Sequence, residues 1–253
     1  MPRRRPRAMC QGERMTTSTR VAAGLLSTLV AVGGLTACSG DDGGGSDAPS
    51  WSDAGKKAKD LLDGTSGVEV SISTNDDPGV DYLSAATGTI VADPASFEGT
   101  VDGKVSGFAV SDVPVISVGG TLWINHLALG GWSDRFQPKE LCAPDPAMLL
   151  DPSSGVSSVL TSSTDVKAGK SERGGTDNKE VFHSYAGTAT GDAIRKILPC
   201  AEGDGFDAKY RIDDSGHLRT AELTGTFFPD ADPMTYTIDV TKYDVEKDIT
   251  APK

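Results

Sequence analysis

Period-two alternation of apolar and polar residues constrains what this chain can fold into more than any other feature. Val68, Val70 and Ile72 are apolar, with Glu69, Ser71 and Ser73 between and after them. Phe97, Gly99, Val101, Gly103 and Val105 interleave with Glu98, Thr100, Asp102 and Lys104. Phe206, Ala208, Tyr210 and Ile212, then Met234, Tyr236, Ile238 and Val240, repeat the pattern late in the chain. Successive side chains of a strand point to opposite faces, so such runs predict half-buried strands of an antiparallel sheet. Less regular strands are expected near 87–92, 107–118, 121–125, 165–172, 178–187 and 217–228. Gly119-Gly120 marks a hairpin turn, and Pro114 marks an edge or a bend.

Three segments carry a helical period instead. Trp51 to Asp63 places Ala54, Ala58, Leu61 and Leu62 on one face, with Ser52 as the expected cap. Pro152–Ser162 groups Val156, Val159 and Leu160, and Gly191–Leu198 groups Ile194, Ile197 and Leu198. The fold class is therefore α+β, a large curved antiparallel sheet with helices over one face. Gly99, Gly103 and Ala208 put small residues on the inward face. On pattern alone this reads as an ordinary filled core.

The amino terminus is built differently. Six arginines precede an uncharged apolar run from Val21 to Leu35, which closes in Leu35-Thr36-Ala37-Cys38. That order of basic, apolar and small residues is a secretory signal, too short to span a bilayer at roughly 20 apolar residues per crossing. Leu-Thr-Ala-Cys resembles the lipobox of bacterial lipoproteins, which implies cleavage before Cys38 and a diacylglyceryl group on its thiol. Met15 serves equally as a start, since Arg20 alone would supply the basic segment. Residues 1–37 are thus expected to be a signal peptide. Cys38 and the Gly-, Ser- and Asp-rich stretch to residue 50 form a flexible tether, and residues 51–253 form one domain.

Without the first 37 residues, 18 Lys and Arg face 35 Asp and Glu, near −17. Nucleic-acid binding needs a basic footprint and is not expected. Membrane attachment has to come from acyl chains, at about 0.8 kcal/mol per buried CH₂. Cys142 and Cys200 remain as an even pair in an oxidising compartment, so a disulfide is expected, with free thiols or a metal pair as alternatives.

Catalytic signatures are weak. His126, His183 and His217 lie far apart and in no metal-ligand spacing, and no Gly-x-Ser-x-Gly elbow occurs. Gly203-Asp-Gly205-Phe-Asp-Ala208 follows a helix and opens a strand, the reverse of a dinucleotide-binding context. Neither an enzyme nor a metal or other cofactor is expected.

The chain resembles the LppX/LprG group of actinobacterial lipoproteins over nearly its whole mature length. The resemblance rests on the lipobox, the first amphipathic helix, Gly88-Thr-Ile-Val-Ala-Asp-Pro94 and Asp112-Val-Pro-Val-Ile-Ser-Val-Gly-Gly-Thr-Leu-Trp-Ile124. Trp132-Ser-Asp134, Asp151-Pro-Ser-Ser-Gly-Val156, Thr235-Tyr-Thr-Ile-Asp-Val240 and Asp248-Ile-Thr-Ala-Pro252 follow in order. It implies a half-barrel sheet, similar to the periplasmic lipoprotein carriers, with helices over its concave face and an apolar cavity between. It further implies a membrane-anchored protein that binds acylated lipids or glycolipids and moves them across the envelope, with an export transporter as a possible partner. The inward residues Val70, Ile72, Phe97, Val101, Val105, Tyr210 and Ile238 would then line the cavity. Leu149, Val156, Val159, Leu160, Ile194 and Ile197 would supply its helical side. The Cys142–Cys200 pair departs from the family pattern and would fasten the helix carrying Ile194 and Ile197. The alternative is a non-enzymatic envelope lipoprotein with a filled core that acts through a protein partner.

Overall fold

The structure is a computed structural model that describes residues 48–253. The expected signal peptide, Cys38 and most of the tether lie outside the described residues. Helix α1 (Trp51–Gly64) comes first, followed by strands β1 (Gly67–Ser73), β2 (Tyr82–Val91), β3 (Ser96–Val105), β4 (Phe108–Val118), β5 (Thr121–His126) and β6 (Gly131–Ser133). Helix α2 (Val156–Ser162), β7 (Thr164–Gly174), β8 (Glu180–Thr190) and helix α3 (Gly191–Ile197) come next, then β9 (Gly205–Asp213), β10 (Leu218–Gly225) and β11 (Met234–Tyr243).

The eleven strands form one open sheet in the order β6-β5-β4-β3-β2-β1-β11-β10-β9-β8-β7. Every neighbouring pair is antiparallel, and the first strand is closed onto the last by Val70 opposite Val240 and Ile72 opposite Ile238. Register shifts interrupt five of these ladders: β1 with β11, β10 with β9, β2 with β3, β3 with β4, and β7 with β8. Each such bulge bends its strand and increases local twist. The sheet is therefore a curled half-barrel with the helices on its inner side. Pro114 pairs with Thr100 of β3, but β5 pairs with β4 only from Val115 onward. The proline thus sits where β4 is locally an edge on its β5 side.

Helix α1 begins one residue earlier than its expected cap. Ser50, and not Ser52, accepts the Asp53 amide through its hydroxyl. Trp51 is drawn into the first turn because its ring stacks on Tyr210 and tilts against Tyr185, with centroids 5.1 and 5.2 Å away. Ala54, Ala58 and Leu62 then face the core. Lys59 donates to Asp63, to the Pro152 carbonyl and to Ser157, which joins α1 to α2.

Helix α2 starts at Val156 and not at Pro152, because the preceding residues are consumed by a turn. One carboxylate oxygen of Asp151 accepts the amides and hydroxyls of both Ser153 and Ser154. These two hydroxyls lower the Asp151 pKa to about 2. A carboxyl with a depressed native pKa adds stability above its unfolded value of about 3.9 and loses that contribution as pH falls toward its native value. Asp151→Asn is expected to cost less than about 1 kcal/mol at pH 7, since the group is well solvated. It should also flatten the fall in melting temperature between pH 4 and pH 2. Parallel melting curves for the two proteins over that range would show that the charge does not hold the turn.

Candidate functional site

Between the inner face of the sheet and the helices lies a cavity of about 110 Å³. That volume takes roughly eight water-sized groups, the bulk of one short acyl chain. Val68, Val70 and Ile72 of β1 form its floor with Ile238 and Val240 of β11 and Ala221 and Leu223 of β10. Leu62 of α1, Val156, Val159 and Leu160 of α2, and Ile194 and Ile197 of α3 form the roof. Phe227 and Phe228, between β10 and β11, close one side, and Cys142, Pro144, Leu149 and Leu150 close another. Two tyrosines contribute their rings and turn their hydroxyls away to satisfied partners. Tyr210 pairs with the Ser163 hydroxyl at 2.7 Å and Tyr236 donates to the Leu83 carbonyl at 2.6 Å. Burial raises both phenol pKa values, that of Tyr210 to about 12 against the opposing Ser163 hydrogen bond. No charged side chain faces this space among the described residues.

Of the thirteen residues expected at such a site, ten lie on this wall: Val70, Ile72, Leu149, Val156, Val159, Leu160, Ile194, Ile197, Tyr210 and Ile238. Three do not, and all three belong to β3. Phe97 is buried, but its ring lies over Gly88 and Gly99, where any Cβ would strike it. The small residues of that stretch thus make room for an aromatic ring and not for a ligand. Val101 is partly buried against the core but does not line the cavity. Val105 reaches the tip of the β3–β4 hairpin and is 50% exposed, beside Phe108 at 76%. Of the three only Phe97 is buried, and the register shift between Val101 and Gly103 interrupts the alternation before Val105.

Several wall residues were not singled out as site residues. Tyr236 and Val240 belong to an alternating run that was recognised, and Leu62 to a recognised helical face. Phe227 and Phe228 lie between strands and carry no periodic signal.

A second recess, of about 370 Å³, adjoins the first and shares Leu149 and Ile197 with it. Its other walls include Gln137, Lys139, Asp145, Ser154 and Lys196. Cys142 and Cys200 are bonded, with Cα atoms 5.6 Å apart. This disulfide ties the 3-10 turn Pro138–Leu141 to the end of α3 at the border of the two spaces.

His183 joins Ser171 at 2.9 Å and Asp214 at 2.9 Å. Neither recess reaches this group, and it clamps the edge strand β7 to β8 and to the turn after β9.

The model of the LppX_LprAFG lipoprotein family matches residues 52–251, four-fifths of the chain. A search of curated proteins gives no significant match. Among solved structures, LprF from Mycobacterium bovis superimposes with a TM-score of 0.64 at 16% identity, covering 82% of this chain and 99% of that one. Lipoprotein LppX from Mycobacterium tuberculosis gives 0.57 at 17% identity, covering 79% and 98%. At such identities the two structures speak for the fold alone, while the sequence match over residues 52–251 speaks for descent. The chain is a member of the LppX_LprAFG lipoprotein family.

Proposed function

We propose that this protein is exported, anchored through acylated Cys38 to the outer face of the cell membrane, and carries acylated lipids or glycolipids across the envelope. The observation that supports this most is the cavity wall, which offers apolar surface on every side and opens beside a polar recess. Acyl chains leaving water for such a space gain about 0.8 kcal/mol per CH₂. Roughly eight groups would supply about 6 kcal/mol, partly offset by the ordering of the chain. A longer or second chain requires α2 and α3 to lift from the sheet. Both are only seven residues long, too short to be stable without their packing. An export transporter is the expected donor or recipient of the lipid.

The small volume of the cavity favours one competing reading, a filled-core lipoprotein that acts through a protein partner. Native mass spectrometry of residues 47–253, purified without detergent, separates the two. Co-purifying lipid, or stoichiometric uptake of a fluorescent fatty acid, is the expected result. Repeated absence of both would sink the carrier reading.

A further inference from the structure

The β3–β4 hairpin ends in two bare apolar side chains. Val105 and Phe108 are register partners across the turn, so they share one face, and they are 50% and 76% exposed. β5 pairs with β4 only from Val115 onward, which leaves the outer arm of the hairpin without a neighbour on that side. The tip is nevertheless fixed. The Asp81 carboxylate accepts the Gly107 amide at 3.0 Å and the Ser106 amide, and these bonds, Gly107 first, hold its pKa below the ordinary carboxylate value. Asp77 accepts the Lys104 ammonium at 3.4 Å, which ties the β1–β2 loop to the hairpin. The β10–β11 loop joins the same rim. The Thr235 amide donates to Asp76 at 2.7 Å, and the Asp232 amide donates to the Pro78 carbonyl at 3.4 Å. The apolar tip therefore stands at one end of a continuous ridge that carries Asp76, Asp77, Asp81, Asp230 and Asp232, all exposed. Its cation, Lys104, is already paired with Asp77.

We infer that this ridge docks a basic protein, with Phe108 and Val105 entering an apolar socket rimmed by lysine or arginine. An aromatic side chain held on a braced turn loses little freedom when it is buried. Such anchors carry much of the affinity of protein interfaces. The acidic rim adds encounter rate and choice of partner. The same charge argues against the two other occupants. A second copy of the chain would bring an identical acidic ridge, and the two would repel. An anionic bilayer repels it as well, and apolar elements that enter such surfaces carry lysine and arginine beside them. The inference holds whether the cavity carries a lipid or the core acts through a partner, because none of the ridge residues lines that space.

The test uses residues 38–253 with Cys38→Ser, so that no acyl group is attached. The probe is a helical peptide with leucine along one face and lysine along the other. Its counterpart carries glutamate in place of lysine. Backbone amide shifts of the nitrogen-labelled protein report where each peptide binds. The lysine peptide is expected to shift residues 104–110 and 76–81, and the glutamate peptide none of them. Phe108→Ser, at an exposed position, leaves the fold intact and should weaken binding by about tenfold or more. Asp77→Asn with Asp232→Asn, which removes two rim charges, should weaken it by about threefold or more. Glu172→Gln with Asp177→Asn removes equal charge at the far end of the sheet and should leave the affinity within about twofold. Binding that maps elsewhere, or that Phe108→Ser leaves unchanged, overturns the inference. Flotation of the protein with phosphatidylcholine–phosphatidylglycerol vesicles that depends on Phe108 would make the tip a membrane wedge and overturn it too. So would a dimer in sedimentation that Phe108→Ser dissolves, since the occupant would then be a second copy.

Discussion

Ala221→Trp is expected to lower acyl-probe uptake at least tenfold while the domain still folds. Ala221 is the smallest residue on the cavity wall, is 2% exposed and lies in register between Tyr210 of β9 and Ile238 of β11. From the floor its side chain points at the roof. An indole adds roughly nine ring atoms to a space that holds roughly eight water-sized groups, so ring and acyl chain compete for the same volume. Inserting bulk into a packed core costs about 1–3 kcal/mol, and entering existing space belongs at the low end of that range. For a domain of this size the melting temperature should fall by less than about 10 °C. Fluorescence titration with an acyl probe and a thermal melt measure the two effects together. Val101→Trp is the informative control. The alternating pattern taken with the family resemblance would choose it to block the cavity, yet Val101 does not line that space, so uptake should persist. Unchanged uptake by Ala221→Trp would mean that the chain does not lie across β10.

The contrast between Ala221 and Val101 shows where sequence reading stops. Alternation in β1, β3, β9 and β11 identified the strands, and in β1, β9 and β11 also their buried faces, because a half-buried sheet imposes a two-residue period on side-chain polarity. The strand from Tyr82 to Ala86 and the three-residue β6 carry no such period and were not anticipated. The extent of the cavity was not legible either. It depends on which part of the inner face the helices cover, and that is set by contacts such as Trp51 on Tyr210 and Lys59 on Ser157. Those residues are far apart in sequence, and no local period couples them. What the glycines of β2 and β3 accommodate was not legible for the same reason. Whether Gly88 and Gly99 leave a hole or seat a neighbour depends on the Phe97 ring, which here lies over both. Cys142 and Cys200 were paired correctly by arithmetic alone, since only two cysteines remain after the expected lipidation site.

Cys142→Ala with Cys200→Ala is expected to destabilise the domain by about 4 kcal/mol, on the chain-entropy account of a crosslink spanning 58 residues. The melting temperature should fall by about 8–16 °C. The fold itself should survive, because β7, β8 and β9 are paired along their length independently of the bridge. The second consequence concerns the cavity. Cys142, Pro144, Leu149 and Leu150 close one side of it, and the hydrogen bond from Ser117 to Asp145 is one of the few polar ties that hold this segment to the sheet. The bridge fastens that segment to the end of α3, which carries Ile194 and Ile197 on the roof. Removing it frees both walls of the border with the lysine-lined recess, so an acyl probe should enter and leave faster than in the bridged protein. Stopped-flow exchange of a fluorescent fatty acid measures this, and reduction of the unaltered protein with dithiothreitol should reproduce it. A large loss of stability with no change in exchange rate would mean that the bridge supports the fold while the ligand passes by another route. Faster exchange with little loss of stability would place the crosslink between segments that are already ordered in the unfolded ensemble, and its main effect would then be to restrain the mouth of the cavity.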